Sequence, residues 1–173
     1  MSRPPTKVYL LLCLVTGAFG ALLVAIVRGS LRVPAGPVSP RGLIAPITAL
    51  AAVTGVVWLL MLVARNVAVA RGTASVRYYK LYGAADAPPE WVERPARTFM
   101  NLLEVPVLFY LVCVLMIVTG DFDPVQLTLA WVYVAARIAH AAIYLASNYV
   151  PMRLAAYVSS CAVLIVMWVR FAA

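Results

Sequence analysis

Acidic residues are scarce in this chain: six Asp and Glu in 173 positions, against fourteen Lys and Arg and a single histidine. Charged residues of both signs make up only 12% of the sequence, too few to cover the surface of a water-soluble domain. Cysteine is equally sparse. Cys13, Cys113 and Cys161 each lie inside an apolar stretch and read as small buried hydrophobes, and neither a disulfide framework nor a CxxC metal motif is present. The excess charge of +8 does not gather into one basic face. The Lys and Arg residues fall between apolar runs, which argues against nucleic acid as a partner.

What the chain has instead is hydrocarbon. Hydrophobic residues make up 65% of it, and the mean hydropathy of +0.96 places it among integral membrane proteins. A bilayer core of about 30 Å takes about 20 apolar residues per spanning helix, so this length holds five spans and leaves no room for a separate soluble domain. The first run, 8–27, follows a basic stretch. It is longer than the roughly 7 to 15 residues of a signal-peptide core, so a retained N-terminal span is expected within residues 1–30. Gly17 and Gly20 in this run suggest close helix packing. Residues 31–42, with Pro34, Pro37 and Pro40, read as a loop, because repeated loss of backbone donors is not tolerated in a span.

The second run, 43–70, is read with Pro46 in its first turn, where a missing N–H costs little. A polar connection over 72–93 is the longest hydrophilic stretch. The third run, 93–118, stops at Thr119, Gly120 and Asp121. Asp123 and Pro124 then form a helix-start signature, cap followed by proline at the first helical position, opening a fourth run that ends near Ser147. Pro151 opens a fifth, which continues to Arg170. The fold class expected is therefore an all-α membrane bundle. Basic residues remain cytoplasmic. Arg3, Lys7, Arg71, Arg77, Lys80, Arg94, Arg97 and Arg153 collect on one side, which puts the N-terminus inside and the C-terminus outside.

Ionisable residues within spans cost about 2.5 to 3.5 kcal/mol each and need partners or a wet cavity. Three runs contain them. Arg94, Arg97, Asn101 and Glu104 fall within one stripe of about 80° on the third run. Tyr133, Arg137, His140, Tyr144 and Ser147 share a face of the fourth. Arg153, Tyr157 and Ser160 share a face of the fifth. At about 1.5 Å per residue, Glu104 and Arg137 lie at matching depths of about 15 Å from the basic side, so they can pair as a clamp on helix register. Arg97 and Arg153, with Arg65 as a further candidate, would then converge with no acidic residue left to neutralise them, while Asn101, His140 and Tyr144 add neutral donors. Such a pocket calls for an anion. The alternative is that these arginines reach out to lipid headgroups, that His140 is a satisfied core residue and that Tyr144 belongs to the interfacial aromatic belt.

The segments RTFMNLLEVPVLF and RIAHAAIY, followed by Arg153, resemble the MAPEG superfamily, membrane-associated proteins in eicosanoid and glutathione metabolism. The similarity covers about residues 43–170 and is to the branch of microsomal prostaglandin E synthase and glutathione transferase. Arg97, Asn101 and Glu104 match the pattern that opens the family's second helix; Arg137, His140 and Tyr144 match the series on its third, and Arg153 follows. The resemblance implies a homotrimer of four-helix subunits, here with one extra N-terminal helix, in a bacterial inner membrane. It implies glutathione held between subunits by Arg65, Arg97, Asn101, Glu104, Arg137, His140, Tyr144 and Tyr157, with Arg153 stabilising the thiolate and no metal. The activity implied is transferase or peroxidase chemistry on a lipophilic electrophile. There are two departures: Met100 stands where the branch has a second arginine, and Leu154 where it has a serine linked to thiol activation. They favour the alternative, a non-catalytic protein of the same fold that binds lipid or a partner protein, as the five-lipoxygenase activating protein does.

Overall fold

The computed structural model describes residues 39, 41–81, 87–121 and 123–173; the expected extra span at 8–27 and most of the proline-rich loop lie outside them. Six helices follow in order among the described residues: α1 (Arg41–Ala70), α2 (Val76–Leu81), α3 (Glu90–Glu104), α4 (Pro106–Thr119), α5 (Pro124–Ala146) and α6 (Val150–Ala172). Among the described residues four stretches are long and apolar enough to cross a membrane: Gly42–Ala70, Glu90–Thr119, Pro124–Ala146 and Val150–Ala172. Among the described residues there is no strand.

Proline sets the boundaries. The third span is one run of hydropathy but two helices, because Pro106 cannot donate to the Leu102 carbonyl and the ladder breaks at Val105. Asp123 caps α5 as expected, its Oδ1 accepting from the Gln126 backbone N–H at 2.8 Å with Pro124 next in the chain. Pro46, in contrast, lies in the second turn of α1 and not the first, since the helix already begins at Arg41. The first two residues of that helix therefore come from the segment read as loop. The polar connection is also shorter than expected, as α2 forms within it and α3 starts three residues early, at Glu90.

At the end of α4, Gly120 adopts φ 72° as a left-handed C-cap. A Cβ there would meet nothing within 4 Å, so Gly120→Ala isolates the backbone strain. It is expected to lower stability by about 1 kcal/mol, read as a thermal shift in detergent.

The core lies where α5 and α6 pack together and α1 and α4 close over them, around Leu50, Phe109, Met116, Tyr133, Leu164 and Met167. Helix α1 contributes a stripe of four residues at seven-residue intervals, Leu43, Leu50, Val57 and Ala64, all buried. Its remaining faces carry Val56, Trp58, Leu59, Leu60 and Val63 outward, the composition of a surface solvated by hydrocarbon.

Candidate functional site

The α5 stripe faces inward: Tyr133, Arg137, His140 and Tyr144 are all buried. It meets the α6 stripe, on which Arg153 and Tyr157 are half-buried and Ser160 is fully buried. Between them, toward the basic end, lies a cleft of about 250 Å³ lined by Asn101, His140, Tyr144, Val150, Arg153, Leu154 and Tyr157. A second hollow of about 230 Å³ adjoins it across Tyr144, bordered by Tyr78, Glu90, Glu93, Arg94, Arg97 and Asn148. Each is smaller than the roughly 300 to 1,000 Å³ that encloses a drug-sized ligand.

Arg137 is 0% exposed. Its Nε donates to the Tyr133 hydroxyl at 3.1 Å, and its guanidinium lies 5.6 Å from the Tyr133 ring centroid and 5.2 Å from that of Tyr157. Tyr133 is itself fixed by stacking on Phe109 at 4.5 Å. Nη1 and Nη2 of Arg137 have no hydrogen-bond partner among the described residues. A fully buried cation supported only by aromatic faces and one hydroxyl is short of an anion.

The expected Glu104–Arg137 pair is not formed within one chain. Glu104 is exposed, and no ion pair joins the two among the described residues. Their depths do match: Arg94 Nη1 donates to the Ala146 carbonyl at 3.0 Å, tying the start of α3 to the end of α5. Rotation of the helix separates them. Helix α3 buries Val92, Pro95, Ala96, Thr98 and Leu102, and this leaves the Arg97 and Glu104 stripe on the opposite, outer face. Arg97, largely exposed, holds Glu93 at 3.6 Å, while Asn101 reaches the edge of the cleft, its Nδ2 donating to the Arg97 carbonyl.

His140 Nδ1 lies 3.0 Å from the Arg153 carbonyl oxygen. A carbonyl can only accept, so Nδ1 carries the proton and the lone pair resides on Nε2, which has no partner among the described residues. The Arg153 guanidinium lies 4.2 Å from the Tyr144 ring centroid, and its Nη1 donates to Asn148 Oδ1 at 2.5 Å. Arg65 does not join this group. It rests under the Tyr79 ring at 5.2 Å, where α1 meets α2. Partial burial of the Tyr79 phenol raises its pKa, opposed by the Arg65 charge, so Tyr79 is neutral in the physiological range.

Sequence reasoning passed over Asn148 and Glu90. Asn148 has φ 52°, a left-handed conformation that asparagine tolerates, and an Asn directly after a helix is a signal for it. Of the two departures noted in the sequence, Leu154 lines the cleft and Met100 is exposed on α3.

No curated protein and no solved structure matches the chain. The model of the MAPEG family matches residues 48–173, which takes in most of α1 and all of α2 to α6. Four membrane-spanning stretches, with polar stripes on α5 and α6 meeting at one end, accompany a match over most of the sequence, and the chain belongs to the MAPEG family of integral membrane proteins.

Proposed function

We propose that the protein is a membrane-embedded transferase or peroxidase that uses glutathione, or a related thiol with anionic groups, on a lipophilic electrophile. The observation that carries this reading is Arg137, a fully buried guanidinium with two nitrogens unpartnered among the described residues, set against Tyr157 of a cleft that also holds Arg153, His140 and Tyr144. Cations, an open imidazole lone pair and phenols suit a carboxylate-bearing thiol. Glutathione would supply the nucleophilic sulfur. Arg153 would favour the ionised form of that sulfur, because a nearby cation draws a thiol pKa from about 8.5 toward neutrality. Tyr144 keeps the guanidinium in place, and Nε2 of His140 can take up the proton. Arg137, Asn101 and Tyr157 would grip the anionic and amide groups.

We read the active unit as a homotrimer. A spanning helix that turns Arg97 and Glu104 outward has an unfavourable face in hydrocarbon, and neighbouring copies would cover it. Two shallow hollows also suit a site completed from outside the chain. Arg65, remote from the cleft of its own chain, would serve the site of a neighbour. Disuccinimidyl cross-linking in nanodiscs is expected to yield a trimer; an exclusively monomeric pattern rejects the assembly.

The test of function is thermal stability of the purified protein with and without glutathione. Stabilisation of about 2.7 kcal/mol is expected at a hundredfold excess over Kd. Asn101→Ala, at the edge of the cleft, is expected to reduce it, and no stabilisation of the wild type rejects the reading. The second reading, a non-catalytic member of the fold that binds lipid, is favoured by Leu154, whose apolar side chain lines the cleft where a hydroxyl could act on a thiol. Saturable binding of a fluorescent fatty acid, with neither stabilisation by glutathione nor turnover of an aromatic halide, would establish it.

A further inference from the structure

We propose that Asn148 is a positioning residue that aims the Arg153 guanidinium into the cleft and links it to the rim of the second hollow; its catalytic consequence rests on the function proposed above. Arg153 could adopt many rotamers, yet three contacts restrict it. Its backbone carbonyl accepts from His140, its guanidinium lies over Tyr144, and its Nη1 donates to Asn148 Oδ1.

The Asn148 amide is oriented by partners of opposite polarity. Oδ1 faces a donor that cannot accept, while Nδ2 donates to Glu90 Oε1 at 3.3 Å. Glu90 in turn holds Arg94, whose Nη1 reaches the Ala146 carbonyl at the end of α5. A chain of charge-assisted hydrogen bonds thus runs from the first turn of α3, across the α5–α6 turn, to Arg153. The left-handed backbone of Asn148 lets its side chain lie between them. A neutral amide also secures Arg153 without neutralising it, so the positive field remains available to an anion in the cleft.

Glycine adopts φ 52° without strain, so Asn148→Gly removes the amide and spares the turn. It is expected to lower kcat/KM for glutathione and an aromatic halide about tenfold, the scale of one charge-assisted hydrogen bond. The acid limb of the pH profile should move up by about one unit, because a loosely held cation favours the thiolate less. Asn148→Asp keeps an acceptor for Arg153 but adds a negative charge and loses the donor to Glu90. Its acid limb should also rise, while Arg153 stays held.

Modification of Arg153 by phenylglyoxal, followed by peptide mass spectrometry, reads the hold without any thiol. The rate should rise severalfold in Asn148→Gly and remain near wild type in Asn148→Asp. Unchanged Arg153 reactivity in Asn148→Gly overturns the positioning role. Increased reactivity with an unchanged pH profile overturns its effect on the thiol. A wild type inert toward glutathione, with the predicted phenylglyoxal pattern intact, rejects the proposed function and leaves Asn148 as the residue that holds Arg153.

Discussion

Arg153→Ala is expected to reduce turnover of an aromatic halide with glutathione by about 10²- to 10³-fold, the effect of removing a preorganised group that stabilises developing or resident negative charge. Arg153 differs from Arg94 and Arg97 in being held without being neutralised. Arg94 and Arg97 pair with Glu90 and Glu93 of their own helix. Arg153 has an aromatic face and a neutral amide instead. The loss should fall mainly on kcat, with the acid limb of the pH profile rising toward the pKa of the free thiol. Arg153→Lys should recover part of the rate, since a point charge replaces the cation but cannot also lie flat on Tyr144 and reach Asn148. Full activity in Arg153→Ala would remove this residue from the chemistry.

Asp123→Ala is expected to produce the largest loss of stability in the chain. The carboxylate has two roles at the end of the bundle away from the cleft. It caps α5, and it receives Arg170 from α6 in an ion pair with both side chains buried. Loss of the cap costs about 1 kcal/mol. Leaving the buried Arg170 charge without this carboxylate adds about 3 to 5 kcal/mol. Near this contact Gln126 Nε2 donates to the Met167 carbonyl at 3.1 Å, so the α5–α6 hairpin is secured again only one turn further in. The apparent Tm in detergent should fall by about 10 °C. The double variant Asp123→Asn, Arg170→Met should recover most of it, because no charge is then buried and Asn still caps the helix. Equal stability of Asp123→Ala and wild type would show that the pair contributes nothing net.

Much of this organisation was legible in the residues. The cap at Asp123 and the proline after it place the start of α5 to the residue. The spacing of Tyr133, Arg137, His140 and Tyr144 puts them on one face, and that face is buried. Counting residues from the basic side brings Arg94 level with the end of α5, as its bond to Ala146 requires. The pairing of Glu104 with Arg137 was not legible. Equal depth is a statement about height along a helix, and pairing also needs the right rotation about its axis. The break at Val105 was open to a reading of Pro106, but the unbroken apolar run conceals it. Asn148 is a single loop residue with no periodicity to reveal it.

The sequence by itself determined that this is a helical membrane protein, where its spans begin and end to within a few residues, and which side chains share a stripe. These follow from hydropathy, proline and the 3.6-residue repeat, all local properties of the chain. The tertiary structure decided which way each stripe turns. Those of α5 and α6 face each other and enclose Arg137, while that of α3 faces out. In water a polar face would announce its own direction. In a bilayer the surroundings are as apolar as the core, so hydrophobicity no longer separates inside from outside, and only packing assigns the faces.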